Sequence, residues 1–169
     1  MILVALGANL THPVHGSPAA TLRAALARFP AVGLQVAACS RFFETAPVPA
    51  SDQPWFVNAV ARVETALDPA AVLAALHGIE AEFGRVRQIR WEARVLDLDL
   101  IDYEGRIAGP PGPELPHPRM ADRGFVLLPL ADIAPDWRHP ASGIAVTELI
   151  ARLDSAEIVR PLAESPPIP

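Results

Sequence analysis

The sequence predicts an α+β fold, a ferredoxin-like β-α-β-β-α-β sandwich with extra helices toward its C-terminal end. Two observations carry that expectation. Short apolar runs of strand formers alternate with two stretches of helical spacing in the order β-α-β-β-α-β. No internal repeat or linker divides the 169 residues, a length close to the roughly 150 residues of one domain. Residues 1–160 therefore read as a single domain and 161–169 as a loose tail.

The elements follow from local chemistry. Ile2 to Leu6 is a short apolar run ending at Gly7, the pattern of a buried strand. Ser17-Pro18 places a capping hydroxyl before a proline at the first helical position. Leu22, Ala25, Leu26 and Phe29 continue that helix to Pro30. Leu34 to Thr45 is rich in strand formers, and Phe56 to Thr65 reads as a longer strand. There Val57, Ala59, Ala61 and Val63 share one face, with Asn58 on the other. Asp68-Pro69 opens a second helix through Leu73, Leu76, Ile79, Glu80 and Phe83, and Gly84 ends it. Val95 to Ile101 is the last clear strand. A proline-rich loop over residues 109–118 leads to a short helix around Phe125 to Leu130, and a final helix runs from Thr147 to Leu153. Two helices on one sheet face would leave the other face free for a site.

Composition excludes several chemistries. All 14 basic residues are arginine. Without lysine there is no Schiff-base chemistry and no Walker A loop. Phosphate contacts must come from guanidinium groups, backbone amides, histidine or metal. The single cysteine, Cys39, forms no internal disulfide, which points to a reducing cytoplasm. No apolar run approaches the roughly 18 residues that span a bilayer, and the N-terminus lacks the basic lead-in of a secretory signal. The 19 prolines are more than twice average usage and point to stiff surface connections.

The sharpest local pattern is Leu96-Asp97-Leu98-Asp99-Leu100. In a strand the leucines face the core and both aspartates face the other way, about 7 Å apart at Cα. Such a pair suits a hard cation that keeps substrate phosphate oxygens in its shell. Just before it, Arg85, Arg87, Arg90 and Arg94 against Glu92 give a local +3 in a chain of −5, leaving −8 elsewhere. Arginines beside paired carboxylates form a pattern suited to a polyphosphate. Trp91 inside this loop either stacks on a heterocycle or anchors the loop. Asn58 carries both donor and acceptor two residues from Phe56, and Phe125 reads equally as a stacking ring or as core. His117 sits in the stiff Pro116-His117-Pro118-Arg119 segment.

The run Gly84-Arg85-Val86-Arg87, then Arg90-Trp91, Arg94 and Leu96-Asp97-Leu98-Asp99, resembles the signature of the 6-hydroxymethyl-7,8-dihydropterin pyrophosphokinase family of folate biosynthesis. Further pieces agree in order: Leu6-Gly7-Ala8-Asn9-Leu10, Glu44-Thr45 with Pro47-Val48, Asp52-Gln53-Pro54, Phe56 and Asn58. Pro116-His117-Pro118-Arg119, Arg123-Gly124-Phe125-Val126-Leu127 and Ile133-Ala134-Pro135 follow. The likeness covers roughly residues 2–137.

That resemblance implies pyrophosphate transfer from ATP to the pterin hydroxymethyl group, with release of AMP. It implies two magnesium ions on Asp97 and Asp99, with Arg85 and Arg94 engaging phosphates at the catalytic centre. Arg87, Trp91, His117 and Arg123 complete the ATP side. On the pterin side it implies Phe56 and Phe125 as stacking rings, Asn58 at the polar edge, and Thr45, Pro47 and Val48 along the flank. The chain departs from the family pattern at three places. Trp91-Glu92-Ala93-Arg94 replaces Trp-Gly-Pro-Arg, Pro49 replaces a glycine, and Gln88 stands where a basic residue is common.

Two other readings compete. One is a different metal-dependent nucleotidyl or phosphoryl transferase, distinguished by its nucleotide product. The other is a ferredoxin-like RNA-binding module, which the aspartates on the sheet face oppose. The expected partners are ATP and the pterin alone, with no nucleic acid or membrane, in a cytoplasmic monomer.

Overall fold

Proline-started helices and an all-antiparallel sheet define the architecture. The structure, a computed structural model, describes residues 1–47, 52–84, 94–154 and 157–163. Strand β1 (Ile2–Ala8) leads into helix α1 (Pro18–Arg28), where Ser17 Oγ accepts from Ala20 N at 3.3 Å. Strands β2 (Gln35–Cys39), β3 (Phe43–Thr45) and β4 (Phe56–Glu64) follow. Helix α2 (Pro69–Glu82) is capped by Asp68 Oδ1 on Ala71 N at 2.8 Å, and Gly84 after it takes φ +77°. After β5 (Asp97–Tyr103) come α3 (Gly124–Ile133), α4 (Val146–Ala151) and the short β6 (Val159–Pro161). No helix among the described residues is long and apolar enough to cross a membrane.

The sheet order is β5-β1-β4-β3-β6, with β2 also paired to β4. Counting β2 and β3 as one interrupted strand, this is the expected β-α-β-β-α-β arrangement. The interruption has a local cause. Ser40 N donates to Val60 O at 2.9 Å, while Val60 N donates to the Ser40 hydroxyl at 3.0 Å, so a side chain takes a carbonyl's place in the ladder. The stretch Leu34 to Thr45, expected as one strand, therefore becomes two.

One expectation is corrected. The sheet face opposite α1 and α2 is not left free. Along β4, Val60 shares the face of Asn58, and Leu3, Val60 and Ile101 form a second core with Val126, Leu127, Leu130, Trp137 and Leu149. The physical reason is apolar area: these three strand residues need cover, and α3 with α4 supplies it. Trp137 Nε1 donates to the buried Asp102 carboxylate at 2.7 Å, fixing that layer to β5. Among the described residues, α3 and α4 leave uncovered the end of the face that carries Gly7, Asn58, Asp97 and Asp99.

The C-terminal end also differs from the expectation. Pro161 closes β6 against Phe43, and Leu162 N donates to Phe42 O at 2.7 Å, so the chain stays on the sheet past the expected start of the tail. Residues 164–169 lie outside the described residues.

Candidate active site

Antiparallel register places the polar row. Gly7 on β1 pairs with Asn58 on β4 and with Asp97 on β5, so three strands present one line of residues at the uncovered end. Gly7 is required there by closeness. A Cβ built on it would lie 2.9 Å from Asn58 Oδ1. Asn58 is buried, and its Nδ2 donates to Thr45 Oγ1 at 2.8 Å. That bond fixes the amide orientation, leaving Oδ1 on the side of Gly7.

Asp97 and Asp99 lie on the same face of β5, while Leu96, Leu98 and Leu100 are buried, as the alternation predicts. Among the described residues β5 is an edge strand, and none of their strands pairs with Leu98 N–H on its outer side. The carboxylate of Glu80, from α2, accepts that bond at 2.7 Å between the two aspartates. Arg94, three residues before Asp97, forms an ion pair with it.

Asn9, 1% exposed, ties this corner together. Its Oδ1 accepts from Arg94 N at 2.6 Å, and its N–H donates to Arg94 O at 2.9 Å. Its Nδ2 donates to Gln53 Oε1 and Pro54 O, both at 3.3 Å. One side chain thus joins the end of β1 to the segments leading into β4 and β5.

Facing the aspartates is the loop of His117. His117 N donates to Ile101 O at 2.9 Å, and His117 Nδ1 accepts from Arg119 N at 3.2 Å. With Nδ1 occupied as acceptor, Nε2 is the nitrogen left to donate. Arg123 precedes α3 and lies over the Phe125 ring, 5.3 Å from its centroid.

Electrostatics link these groups. Burial pushes the Asp99 carboxyl above the ordinary carboxylate range, and the Asp97 charge adds to the effect; His117, Arg123 and Arg94 oppose it. Burial pulls the His117 imidazole down, against the attraction of Asp99. Arg123 is likewise lowered by burial and by Arg119. Burial is the larger cause of the rise at Asp99, and the neighbouring Asp97 charge adds to it; two carboxylates side by side on one strand face are a place that favours a divalent cation. Among the described residues no group of three or more His, Cys, Asp and Glu side chains is arranged to hold a metal. A cation here would take the two carboxylates and complete its shell from water and substrate oxygens, the habit of magnesium.

A cavity open to solvent gathers these residues: Gly7, Asn58, Asp97, Asp99, His117, Arg123 and Phe125 all line it. Thr45 joins through its bond to Asn58, and Phe56 pairs with Thr45 at the start of β4. Phe56 is half-buried and stands outside the cavity lining, as does Pro47. Arg94 reaches the site through Asp97. Val48, Pro49, Arg85, Arg87, Gln88, Arg90, Trp91, Glu92 and Ala93 lie outside the described residues. Phe125 lines the cavity and also packs against the second core.

Sequence reasoning assigned no role to Asn9 or Glu80. Asn9 lay in a quoted motif at a strand end, a recoverable signal. Glu80 sits in a helix among core positions, and a buried acid there needs a donor from elsewhere.

Residues 3–135 match the family model of 7,8-dihydro-6-hydroxymethylpterin-pyrophosphokinase (HPPK). The 2-amino-4-hydroxy-6-hydroxymethyldihydropteridine pyrophosphokinase of Pseudomonas aeruginosa is 43% identical over 150 residues, 89% of this chain and 90% of that protein. The protein of the same name from Methylorubrum extorquens is 40% identical over 156 residues, 92% of this chain and 94% of that one. In fold, the chain is similar to wild-type HPPK-DHPS of Plasmodium falciparum, with a TM-score of 0.64 at 12% identity over 89% of this chain. It spans 44% of that longer chain.

Proposed function

The chain belongs to the 7,8-dihydro-6-hydroxymethylpterin-pyrophosphokinase family, and from that membership we propose that it transfers pyrophosphate from ATP to 6-hydroxymethyl-7,8-dihydropterin. The observation that carries the reading is the meeting, in one cavity, of a polar amide and an aromatic ring with paired carboxylates, an arginine and a histidine. A flat amide-rich heterocycle takes the first pair and a polyphosphate the second.

The hydroxymethyl oxygen forms a bond to the β-phosphorus, and the bond from that phosphorus to the α,β-bridging oxygen breaks. AMP leaves with that oxygen, and the hydroxyl proton passes to solvent. The work of the protein is positioning and charge stabilisation. Asn58, held by Thr45, reads the polar edge of the pterin, and Phe125 covers its face. Arg123, His117 Nε2 and Arg94 face the phosphate oxygens. Asp97 and Asp99 would hold two magnesium ions, which when bound neutralise triphosphate charge. Arg85, Arg87 and Trp91 belong to the ATP side by family resemblance, and Phe56, Pro47 and Val48 to the pterin side. The buried unpaired Cys39 supports a cytoplasmic setting.

One incubation tests the reading. With ATP, magnesium and the pterin alcohol, the nucleotide product is AMP, formed only when pterin is present. ADP or free pyrophosphate as the main product assigns a different transferase. Asp97→Ala and Asp99→Ala each abolish AMP formation while the circular dichroism spectrum stays that of the parent. Turnover within a few-fold of the parent would remove both carboxylates from the metal role.

A further inference from the structure

We infer that Glu157 is a positioning residue for the pterin half of the site, acting through the first turn of α3; the inference rests on the reading above. The matched family stretch ends at residue 135, yet the chain beyond it returns to β3, where Val159 pairs with Thr45. Helix α3 begins at Gly124, between Arg123 and Phe125, and its N-cap residue is Arg123, with φ −124° and ψ 108°. A guanidinium has no acceptor, and no side chain of the cap itself closes the turn. The first amides of a helix need an acceptor from elsewhere.

Glu157 supplies it. Gly124 N donates to both carboxylate oxygens, each at 3.1 Å. A carboxylate is also the favoured charge at a helix N-terminus. The fit depends on glycine: a Cβ on residue 124 would lie 2.8 Å from Glu157 Oε2 and 2.9 Å from its Cδ.

The segment carrying Glu157 is itself fixed to the other wall of the site. Ala46 N donates to Ile158 O at 3.3 Å, Val159 pairs with Thr45, and Arg160 bridges Glu44 at 3.0 Å while lying over the Trp55 ring. Residues 157–160 therefore span from the Thr45–Asn58 pair to the turn that presents Phe125. Arg123 N donates to Met120 O at 3.4 Å, from the turn before the helix. Phe125, the next helical residue after Gly124, depends on the Glu157 cap for its place.

The test is a set of full-length variants assayed for AMP. Glu157→Ala raises the pterin KM about five-fold, the scale of one helix N-cap, and leaves the ATP KM unchanged. Glu157→Gln keeps an acceptor oxygen and holds the pterin KM within about two-fold of the parent. Gly124→Ala displaces the carboxylate and matches Glu157→Ala, and the double variant is no worse than either single change. A parental pterin KM in Glu157→Ala overturns the inference, even if its melting temperature falls. So do effects of the two single changes that add. If the parent itself forms no pterin-dependent AMP, the functional reading fails instead, before any variant is compared.

Discussion

Replacing Glu80 by alanine removes the acceptor that closes the outer edge of β5 between the two aspartates. Glu80 is 2% exposed and Leu98 fully buried, and the bond between them is 2.7 Å. Because β5 ends the sheet among the described residues, none of their strands takes over that donor. A buried N–H stripped of its partner costs about 1–3 kcal/mol, so ~2 kcal/mol is the expected loss of stability. In a chain of this size each kcal/mol moves the melting point by roughly 2–4 °C, giving a fall of about 4–8 °C. The functional effect is separate. Asp97 and Asp99 flank Leu98, and a loosened edge spreads both carboxylates, which lowers kcat about ten-fold or more at a temperature where the variant stays folded. Glu80→Gln retains an acceptor oxygen and recovers most of the melting temperature. Thermal unfolding followed by circular dichroism and AMP formation at saturating substrates read the two effects. A Glu80→Ala protein that melts within about 1 °C of the parent refutes the reasoning. So does a glutamine variant as damaged as the alanine one.

Two further perturbations probe other links. Gly7→Ala drives a methyl group to 2.9 Å from Asn58 Oδ1, and relieving that contact breaks the Asn58–Thr45 geometry at a cost of about 1–3 kcal/mol. Pterin affinity, read by fluorescence titration, falls correspondingly, and a parental affinity would show that Asn58 does not set the site. Burial pushes the Cys39 thiol from its ordinary 9.0 up to about 11, helped by the nearby Asp132 charge. The folded thiol then keeps its proton where the unfolded one has lost it, so stability declines as pH rises from about 9 to 11, by up to ~1.4 kcal/mol per unit. Urea unfolding across that range, against Cys39→Ala as the flat reference, measures the slope; identical slopes would refute the burial argument.

Much of the site was legible because strand alternation is a local rule. Asp97 and Asp99 on one face, with leucines on the other, needed only the sequence period. The caps at Ser17 and Asp68 were legible for the same reason, since proline and a short acceptor act within four residues. The split between β2 and β3 was not, because the Ser40 hydroxyl bonds to Val60, a partner twenty residues away. The two C-terminal helices were expected, but not their place over the second sheet face, although the signal was present: Val60 and Ile101 share faces with Asn58 and Asp99, and apolar residues on a supposedly open face call for cover.

Composition restricted cationic phosphate contacts to arginine and histidine side chains, and residue order along the chain announced both the architecture and the family resemblance. Those are properties of neighbours and of types. Where the polar row ends and the covered core begins depends on how far α3 and α4 extend over the sheet. The acceptor for Leu98 comes from Glu80, that for Gly124 from Glu157, and that for Arg94 N from Asn9. Each joins an unpaired backbone donor to an acid or amide remote in sequence, and no local pattern specifies such a partner. Packing of the whole chain does, because a buried donor must find its acceptor wherever the fold brings one within reach.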